Sequence, residues 1–375
     1  MKVAVLQETC PGENRVALVP ANIAALNKAG MEVVVESGAG LKAGYPDGQY
    51  RDKGATIVGT RDEAFAADVL LQVRTPAANP VRGTEDLPRL RAGQVCVGLM
   101  DPLGTPQAAQ ASAATGAAFF ALELIPRITR AQSMDVLSSM ATIAGYRAVL
   151  LAAVELPRML PMLMTAAGTI TAARAFIIGV GVAGLQAIAT SRRLGAVVQA
   201  WDVRADCREQ VESLGGKFVD LQLDAGNAQD QGGYAKDLGE EFYRRQRAAM
   251  ARVVAGCDIV ITTAAIPGKP SPLLITADAV AGMQPGSVII DLAAERGGNC
   301  ELTKANERIL AHGVTILGPT NLPAEIPYHA SQMFSNNITK FLLNLVKQGE
   351  VHWNLDDEIV RGTLVTRGGE VVHPR

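Results

Sequence analysis

The stretch Phe176–Ala189, "FIIGVGVAGLQAIA", decides the fold that we predict for this chain of 375 residues. It carries GxGxxG between an apolar run and an apolar-periodic segment. Gly179 permits a tight turn, Gly181 lets the backbone approach a pyrophosphate, and Gly184 lets the helix pack closely on the strand. The next strand-like run ends at Asp202. Strand, glycine loop, helix and acid in this order predict a dinucleotide-binding unit.

The acidic residue indicates which dinucleotide the unit selects. A carboxylate at Asp202 would accept hydrogen bonds from the adenine-ribose 2′-OH and repel a 2′-phosphate, which favours NAD(H) over NADP(H). Arg204 follows two residues later and weakens this inference. The alternative is a turn with a helix-capping aspartate and no ligand. We predict NAD(H) binding.

The surrounding pattern predicts an α/β fold of two doubly wound, parallel-sheet, Rossmann-like domains with an interdomain cleft. Strand-like and helix-like runs alternate up to about residue 135, and the pattern restarts near residue 174. In the second half, "CREQVESLGG" and "LTKANERILAHG" are helix candidates, and "YHASQMFSNNITKFLLNLVKQGE" is a helix that returns to the first domain, followed by a hairpin-like tail. We therefore expect an N-terminal domain of residues 1–138 plus 325–375 and an NAD(H)-binding domain of residues 139–324.

Composition excludes several classes of protein. Lys and Arg number 35 against 37 Asp and Glu, a formal net charge of −2, so nucleic acid is not an expected partner. Five scattered cysteines without a CxxC pair indicate neither a disulfide framework nor a cysteine-rich zinc site, and we expect no metal. The most apolar stretch, residues 159–184, contains Pro161 and Arg174 and is typical of a loop plus a buried strand. We expect a soluble, cytosolic chain.

Histidines are scarce where acid/base chemistry would need them. All four, His312, His329, His352 and His373, follow residue 311. Dehydrogenases of alcohols or amines move a proton as well as a hydride, and histidine is the usual proton carrier. An ordinary helix-start position is the better interpretation of His329. Hydride exchange between two nicotinamides needs no acid or base, and positioning would supply most of its catalysis.

A polar cluster, "RITRAQSMDVLSS" at 127–139, separates two apolar segments. Arg127 could offer its guanidinium to a phosphate or carboxamide oxygen. Gln132, Asp135 and Ser138 would share one side of a helix that starts at Ser133. The structural alternative is that Asp135 caps a helix and the serines bond to backbone carbonyls. Spacing alone leaves both interpretations open.

Several long motifs resemble one family. "PRITRAQSMD", "MTAAGT", "GVGVAGLQAIATSRRLGA", "DVRADCREQVESLGGKF", "GGYAKDLGEEF" and "IPGKPSPLLIT" are similar to the NAD(H)-binding domain I component of proton-translocating NAD(P) transhydrogenase, which forms the first polypeptide of the alpha subunit in bacteria. The likeness runs from "GENRVALVP" to "RGTLVTRGGEVVHP". This resemblance favours the functional interpretation of the polar cluster over the structural one.

The resemblance implies roles for individual residues. Arg127, Gln132, Asp135 and Ser138 match the loop around the nicotinamide, with Gln132 reaching toward the partner's nucleotide. Tyr234 matches a mobile loop that folds over bound nucleotide, and the polar, glycine-containing run around it independently suggests a lid. The full cofactor-binding prediction is Gly179, Val180, Gly181, Val182, Ala183, Gly184, Asp202, Val203, Arg204, Tyr234 and Ala264.

The resemblance also implies partners. These are a membrane-spanning proton-channel subunit and an NADP(H)-binding domain of the beta subunit, so that NADP(H) is held only on the partner. A homodimer is implied as well. The chain would lie peripherally on the cytoplasmic face of the inner membrane through these subunits.

Alanine dehydrogenase, a related family, is the main rival, and a non-catalytic NAD(H)-binding regulator is a third hypothesis. Arg15 would match the rival's substrate-carboxylate arginine. Its lysine falls near Arg74, its catalytic histidine near Asp101 and its nicotinamide-side aspartate at Glu295. These differences indicate that residues needed to bind and turn over an amino acid have been replaced in this chain.

Overall fold

The computed structural model describes residues 1–221, 240–266 and 268–373. They form two compact units, Met1–Met140 with Pro323–Arg375 (unit 1) and Ala141–Leu322 (unit 2). The sequence analysis placed these boundaries two residues away, at 138/139 and 324/325. Each unit contains a mostly parallel sheet, which confirms the predicted α/β class. The interdomain cleft stays a prediction.

The N-terminal segment of unit 1 is a parallel sheet in the order β3-β2-β1-β4-β5-β6. Its strands are β1 Lys2–Val5, β2 Glu32–Glu36, β3 Thr56–Val58, β4 Val69–Arg74, β5 Val95–Leu99 and β6 Ala118–Ala121. Its helices are α1 Ile23–Lys28, α2 Asp47–Asp52, α3 Arg61–Phe65, α4 Gly83–Asp86 and α5 Pro106–Ala113. These elements show the alternation of strand-like and helix-like runs that the sequence predicts up to about residue 135.

The long helix α6, Val136–Glu155, joins the residues of unit 1 to those of unit 2. In the described ranges it is the one helix that is long and apolar enough to cross a membrane, by length and composition alone. Its Ala148, Val149 and Ala152 are fully buried in a hydrophobic core of unit 2. A core helix of a globular domain has the same composition, so this pattern by itself does not indicate a membrane span.

Unit 2 is a sheet in the order β11-β10-β9-β12-β13-β15-β14, with β14 antiparallel to its neighbour. Its strands are β9 Arg174–Ile178, β10 Val197–Trp201, β11 Lys217–Phe218, β12 Ile259–Thr262, β13 Val288–Asp291, β14 Arg308–Ala311 and β15 Val314–Leu317, preceded by a separate hairpin, β7 Leu163–Thr165 and β8 Gly168–Ile170. Its helices are α7 Val182–Arg193, α8 Cys207–Ser213, α9 Glu240–Val254 and α10 Ala277–Ala281. The strand order reverses between β9 and β12, the switch point where doubly wound sheets bind ligands.

The C-terminal segment completes unit 1. Helix α11, Pro327–Leu345, forms as predicted but ends at Leu345 and not at Glu350, because β16 Val346–Lys347 pairs with β17 Glu350–Val351. The tail begins with a helix, α12 Glu358–Thr363, before the expected hairpin of β18 Leu364–Arg367 and β19 Glu370–Val371. Strand β18 adds antiparallel to β6 and extends the sheet.

The helix predicted for "LTKANERILAHG" is wrong, because this stretch contains β14. Ala311 pairs with Val314, leaving a two-residue turn of His312 and Gly313. Both turn residues have positive φ, 52° and 78°. Positive φ at both central residues is the conformation that the twist of a tight hairpin favours. The hairpin therefore overrides the apolar spacing that suggested a helix.

Both faces of the central strands β9, β12 and β13 of the unit 2 sheet are buried, as expected for parallel strands covered by helices. Ala175 and Ile177 of β9 enter one apolar cluster, whereas Phe176 and Ile178 enter another. The side chains alternate because successive residues of a strand point to opposite faces. A continuous apolar strand thus leads directly into the glycine loop.

Gly145 of α6 packs against the start of α7. A Cβ at this position would overlap the carbonyl oxygen of Ala183 and lie 3.0 Å from its Cα. We expect Gly145→Ala to lower the free energy of unfolding by about 1–3 kcal/mol, because backbone atoms cannot give way as a side chain can. Urea denaturation would measure the loss.

Gly256→Ala is the matched control in the same unit, because its Cβ would meet no atom closer than 3.7 Å. We expect a change within about 0.5 kcal/mol. Equal stability of the two variants would contradict the close helix packing.

Candidate nucleotide-binding site

The glycine loop turns from β9 into α7 through two backbone contacts. Gly179 has a φ of 94°, which only glycine adopts readily. A Cβ on Gly184 would overlap the carbonyl oxygen of Gly179, so helix and strand lie closer here than any side chain permits. The hydroxyl of Thr263, just after β12, donates to that same carbonyl at 3.0 Å. The carbonyl group of Gly179 is thus held between Gly184 of α7 and the hydroxyl of Thr263.

Gly181 leaves open the space that a phosphate would need. No atom of the part of the chain that the structure describes lies within 4 Å of the position of its missing Cβ. It is the N-cap of α7, and among the described residues no side chain caps the helix. Helix N-termini with free N–H groups favour anions, both by direct hydrogen bonding and through the helix dipole. The predicted loop residues Val180, Val182 and Ala183 lie in this same turn and fit a pyrophosphate.

Asp202 lies directly after β10 and bonds back to the loop. Its Oδ2 accepts a hydrogen bond of 2.7 Å from the N–H of Val180. Arg204 forms an ion pair with both carboxylate oxygens, each at 2.9 Å. The hydrogen bond that the Arg204 guanidinium donates to Asp202 raises the pKa of the guanidinium. Asp202 is 8% exposed, and the predicted Val203 packs against an apolar core cluster of unit 2.

The buried side-chain amide of Asn299 holds the backbone at Ala264 in place. The Oδ1 of Asn299 accepts from the N–H of Ala264 at 3.1 Å, and its Nδ2 donates to the carbonyl of Ala264 at 2.9 Å. Asp291, at the end of β13, accepts from the N–H of Asn299 at 2.8 Å and from the Thr303 hydroxyl at 2.7 Å. Sequence reasoning missed Asn299 and Asp291, because neither stands in a motif. Tyr234 lies outside the described residues.

The polar cluster of unit 1 folds differently from its predicted helix. Thr129–Met134 is a 3₁₀ helix, and α6 starts only at Val136. A helical start at Ser133 is therefore wrong. Asp135, with φ −72° and ψ 94°, separates the two helices and caps α6: its Oδ1 accepts from the N–H of Ser138 at 2.9 Å. The Ser138 hydroxyl donates to Oδ2 at 2.6 Å instead of to a carbonyl.

Residues far along the chain anchor this cluster. Arg130 binds Asp357 through two hydrogen bonds of 2.5 and 3.2 Å, and Asn344 donates to the same carboxylate at 2.9 Å. The hydrogen bond from Arg130 holds the pKa of Asp357 well below its usual range. Asn337 of α11, 6% exposed, donates to the carbonyl of Ser133 at 3.0 Å.

Arg127 and Gln132 are exposed, in contrast to the anchored backbone around them. Within unit 2 the structure brings together the glycine loop, Asp202, Arg204 and Ala264. Within unit 1 it brings Asp135 and Ser138 into contact and leaves Gln132 on the surface. Asn337, Asn344 and Asp357 are the supporting residues that the sequence analysis did not find.

Comparison with known proteins identifies the family. The models "Alanine dehydrogenase/PNT, N-terminal domain" and "Alanine dehydrogenase/PNT, C-terminal domain" match residues 4–144 and 148–374. The chain belongs to the alanine dehydrogenase/PNT family. This confirms the resemblance drawn from the motifs.

Within the family, the chain is more similar to transhydrogenases than to alanine dehydrogenases. It is 47% identical to the first polypeptide of NAD(P) transhydrogenase subunit alpha of Rhodospirillum rubrum, covering 100% of this chain and 98% of the relative. The crystal structure of transhydrogenase from Sinorhizobium meliloti matches at 45% identity and a TM-score of 0.86, covering 100% and 99%. Alanine dehydrogenase of Bacillus subtilis is 27% identical, covering 100% and 93%.

Of the four positions that the resemblance matches to the amino-acid site of an alanine dehydrogenase, Arg15 and Arg74 belong to an internal ion network. Arg15, 3% exposed, binds Glu13 through hydrogen bonds of 2.7 and 2.6 Å, and Arg74 reaches the same carboxylate at 3.3 Å. Asp101 has a φ of 51°, and its N–H donates to Glu123. Glu295 is exposed. A substrate carboxylate would have to displace Glu13 from Arg15, which disfavours amino-acid binding.

Gly181→Ala and Gly184→Ala separate binding from folding. Gly181 has φ −83° and ψ −168°, which alanine adopts, so its variant should retain stability within about 0.5 kcal/mol. We expect its Kd for NADH to rise about 10- to 100-fold, because the new methyl group blocks phosphate from the amides. Gly184→Ala should instead lose about 1–3 kcal/mol of stability.

Calorimetric titration with NADH and urea denaturation measure the two effects. Unchanged NADH affinity in Gly181→Ala would rule out the open turn as the phosphate site.

Glu8 makes a contribution to stability that depends on pH. It is 6% exposed and accepts from the N–H of Val73 at 2.6 Å. Burial, aided by the charge of Glu13, raises its pKa from 4.5 to about 8. The folded chain therefore binds more protons than the unfolded chain between these values, and this contribution to stability falls as pH rises through that window.

Glu8→Gln imitates the neutral acid and removes this dependence. Relative to the unaltered chain, we expect the variant to gain stability from pH 5 to 8, by at most about 1.4 kcal/mol per pH unit, the value for one proton. Urea denaturation at several pH values measures the difference, in which other titrations cancel. Parallel profiles for the two proteins would show that Glu8 keeps an ordinary pKa.

Proposed function

We propose that the chain is the NAD(H)-binding component of a proton-translocating NAD(P)⁺ transhydrogenase, an oxidoreductase that needs partner subunits. It would pass hydride between NADH and NADP⁺ held on a partner. The uncapped glycine turn with Asp202 at its side carries the proposal, since it suits a dinucleotide lacking a 2′-phosphate. Family membership supports the same cofactor.

The side chains suit a reaction that exchanges only hydride. When bound, NAD(H) supplies or accepts the hydride at its nicotinamide. Arg127 would orient that ring by hydrogen bonding and Gln132 would reach toward the nucleotide on the partner, and both are exposed on an anchored backbone. Asp135 and Ser138 would act mainly by fixing this backbone through the cap of α6. Positioning of this kind can supply a large part of a rate enhancement.

The partners follow from the same proposal. The R. rubrum relative is named as one portion of a subunit alpha, which implies further subunits in that enzyme. We propose an NADP(H)-binding domain of the beta subunit and a membrane-spanning proton-channel subunit as partners, with NADP(H) only on the former. The chain would be peripheral on the cytoplasmic face of the inner membrane and act as a homodimer. The lid role of Tyr234 stays a prediction.

Single-turnover hydride transfer tests the proposal. The chain loaded with NADH is mixed with the NADP(H)-binding domain of a transhydrogenase beta subunit carrying an NADP⁺ analogue of shifted absorbance. We expect a burst that requires both proteins. In Gln132→Ala we expect the burst rate to fall about 100-fold, because a misplaced nicotinamide costs about this much, while the Kd for NADH stays unchanged within error.

Gln110→Ala is the matched control, an exposed glutamine of α5 in the same unit, and it should retain the rate. No burst, with NADH binding intact, would favour a non-catalytic NAD(H)-binding regulator. NAD-dependent oxidation of alanine by the isolated chain would favour an amino-acid dehydrogenase instead.

A further inference from the structure

The carboxylate of Asp202 has no acceptor position left over for a ribose. Its Oδ1 accepts from the N–H and the Nε–H of Arg204, both at 2.9 Å. Its Oδ2 accepts from Val180 at 2.7 Å and from Nη2 of Arg204 at 2.9 Å. A carboxylate offers about four lone-pair sites, and these four bonds fill them. A ribose hydroxyl that donates to Asp202 must therefore replace one of these N–H donors.

Arg204 is the donor that can be replaced. The bond from Val180 is part of the glycine turn, whereas three of the four bonds come from Arg204, two of them from its flexible side chain. The Nη2 of Arg204 also lies 3.3 Å from the carbonyl oxygen of Val180. The guanidinium is therefore held beside both the ribose carboxylate and the phosphate-binding turn.

A guanidinium at this position has a chemistry opposite to that of Asp202. Arginine binds phosphate through charge-assisted, often bidentate hydrogen bonds. Arg208, the next arginine along the chain, interacts elsewhere: it stacks over Phe218 and contacts Asp220 and Glu212. Arg204 alone of the two shares the carboxylate that faces the predicted ribose.

We propose that Arg204 is a second determinant of nucleotide specificity: it competes with the adenosine ribose for Asp202, and it forms a 2′-phosphate site that Asp202 keeps neutralised. This rests on the proposed NAD(H) site and extends it. Discrimination against NADP(H) then depends on the pair, because Asp202 both repels the 2′-phosphate and occupies the Arg204 guanidinium that would bind it.

Isothermal titration with NADH, NADPH and adenosine 2′,5′-bisphosphate tests the pair. In Asp202→Asn, which retains an acceptor for the N–H of Val180, we expect affinity for NADPH and the bisphosphate to rise about 10- to 100-fold. Asp202→Asn combined with Arg204→Ala should lose this gain. Asp202→Asn combined with Arg208→Ala should keep it, which separates Arg204 from a general effect of positive charge.

Arg204→Ala alone tests the competition. Removing the competitor should lower the Kd for NADH by about 3- to 10-fold, whereas a merely supporting arginine would raise the Kd when removed. This measurement stands even if Asp202→Asn fails to fold, which thermal denaturation would reveal. A Kd for NADH that rises in Arg204→Ala, or a gain for NADPH that survives the loss of Arg204, would overturn the proposal.

The bisphosphate separates this proposal from the one on which it rests. It carries no nicotinamide, so its binding is independent of hydride transfer. Failure of the unaltered chain to bind NADH would refute the NAD(H) site itself. NADH binding without the predicted changes in the variants would refute only the role of Arg204.

Discussion

The contact of backbone on backbone at Gly179 and Gly184 is the constraint on which the rest of unit 2 depends. A side chain at Gly184 would overlap the Gly179 carbonyl, and one at Gly145 of α6 would overlap the carbonyl of Ala183. Strand β9 and helices α7 and α6 thus pack closely together at three glycines. This close packing aligns the first amides of α7 with an open space at Gly181, where no described side chain caps them.

Local patterns predicted this region of the fold because the physics behind them is local. Buried parallel strands read as continuous apolar runs, and the GxGxxG spacing involves residues at most five positions apart. Asp202 was predictable for the same reason, since a βαβ unit brings the end of its second strand beside the loop. The hairpin of β14 and β15 was not predictable from apolar spacing, because two positive φ angles at His312 and Gly313 decide it.

The supporting residues of the candidate site could not be predicted from the sequence, for a different reason. Asn337 bonds to Ser133 across 204 positions and Arg130 to Asp357 across 227, and no periodicity connects such pairs. Asn299 and Asp291 likewise act through backbone atoms of other segments. Only the tertiary fold brings these partners together, whereas Asp135 and Ser138 are three residues apart and were foreseeable as a cap.

One fold serves two chemistries in this family, and buried charge distinguishes them in this chain. An arginine that is to bind a substrate carboxylate must have its guanidinium available, whereas Arg15 here is matched by Glu13 within a cluster that Arg74 completes. Removing such a matched partner is costly, because it leaves a buried charge uncompensated. The cap at Asp135 has the opposite effect from Glu13. Its hydrogen bonds do not occupy Arg127 and Gln132 but stabilise the backbone on which these two side chains are exposed. The structural and functional interpretations of that cluster are therefore compatible, because a residue that positions other side chains does so through its structural hydrogen bonds.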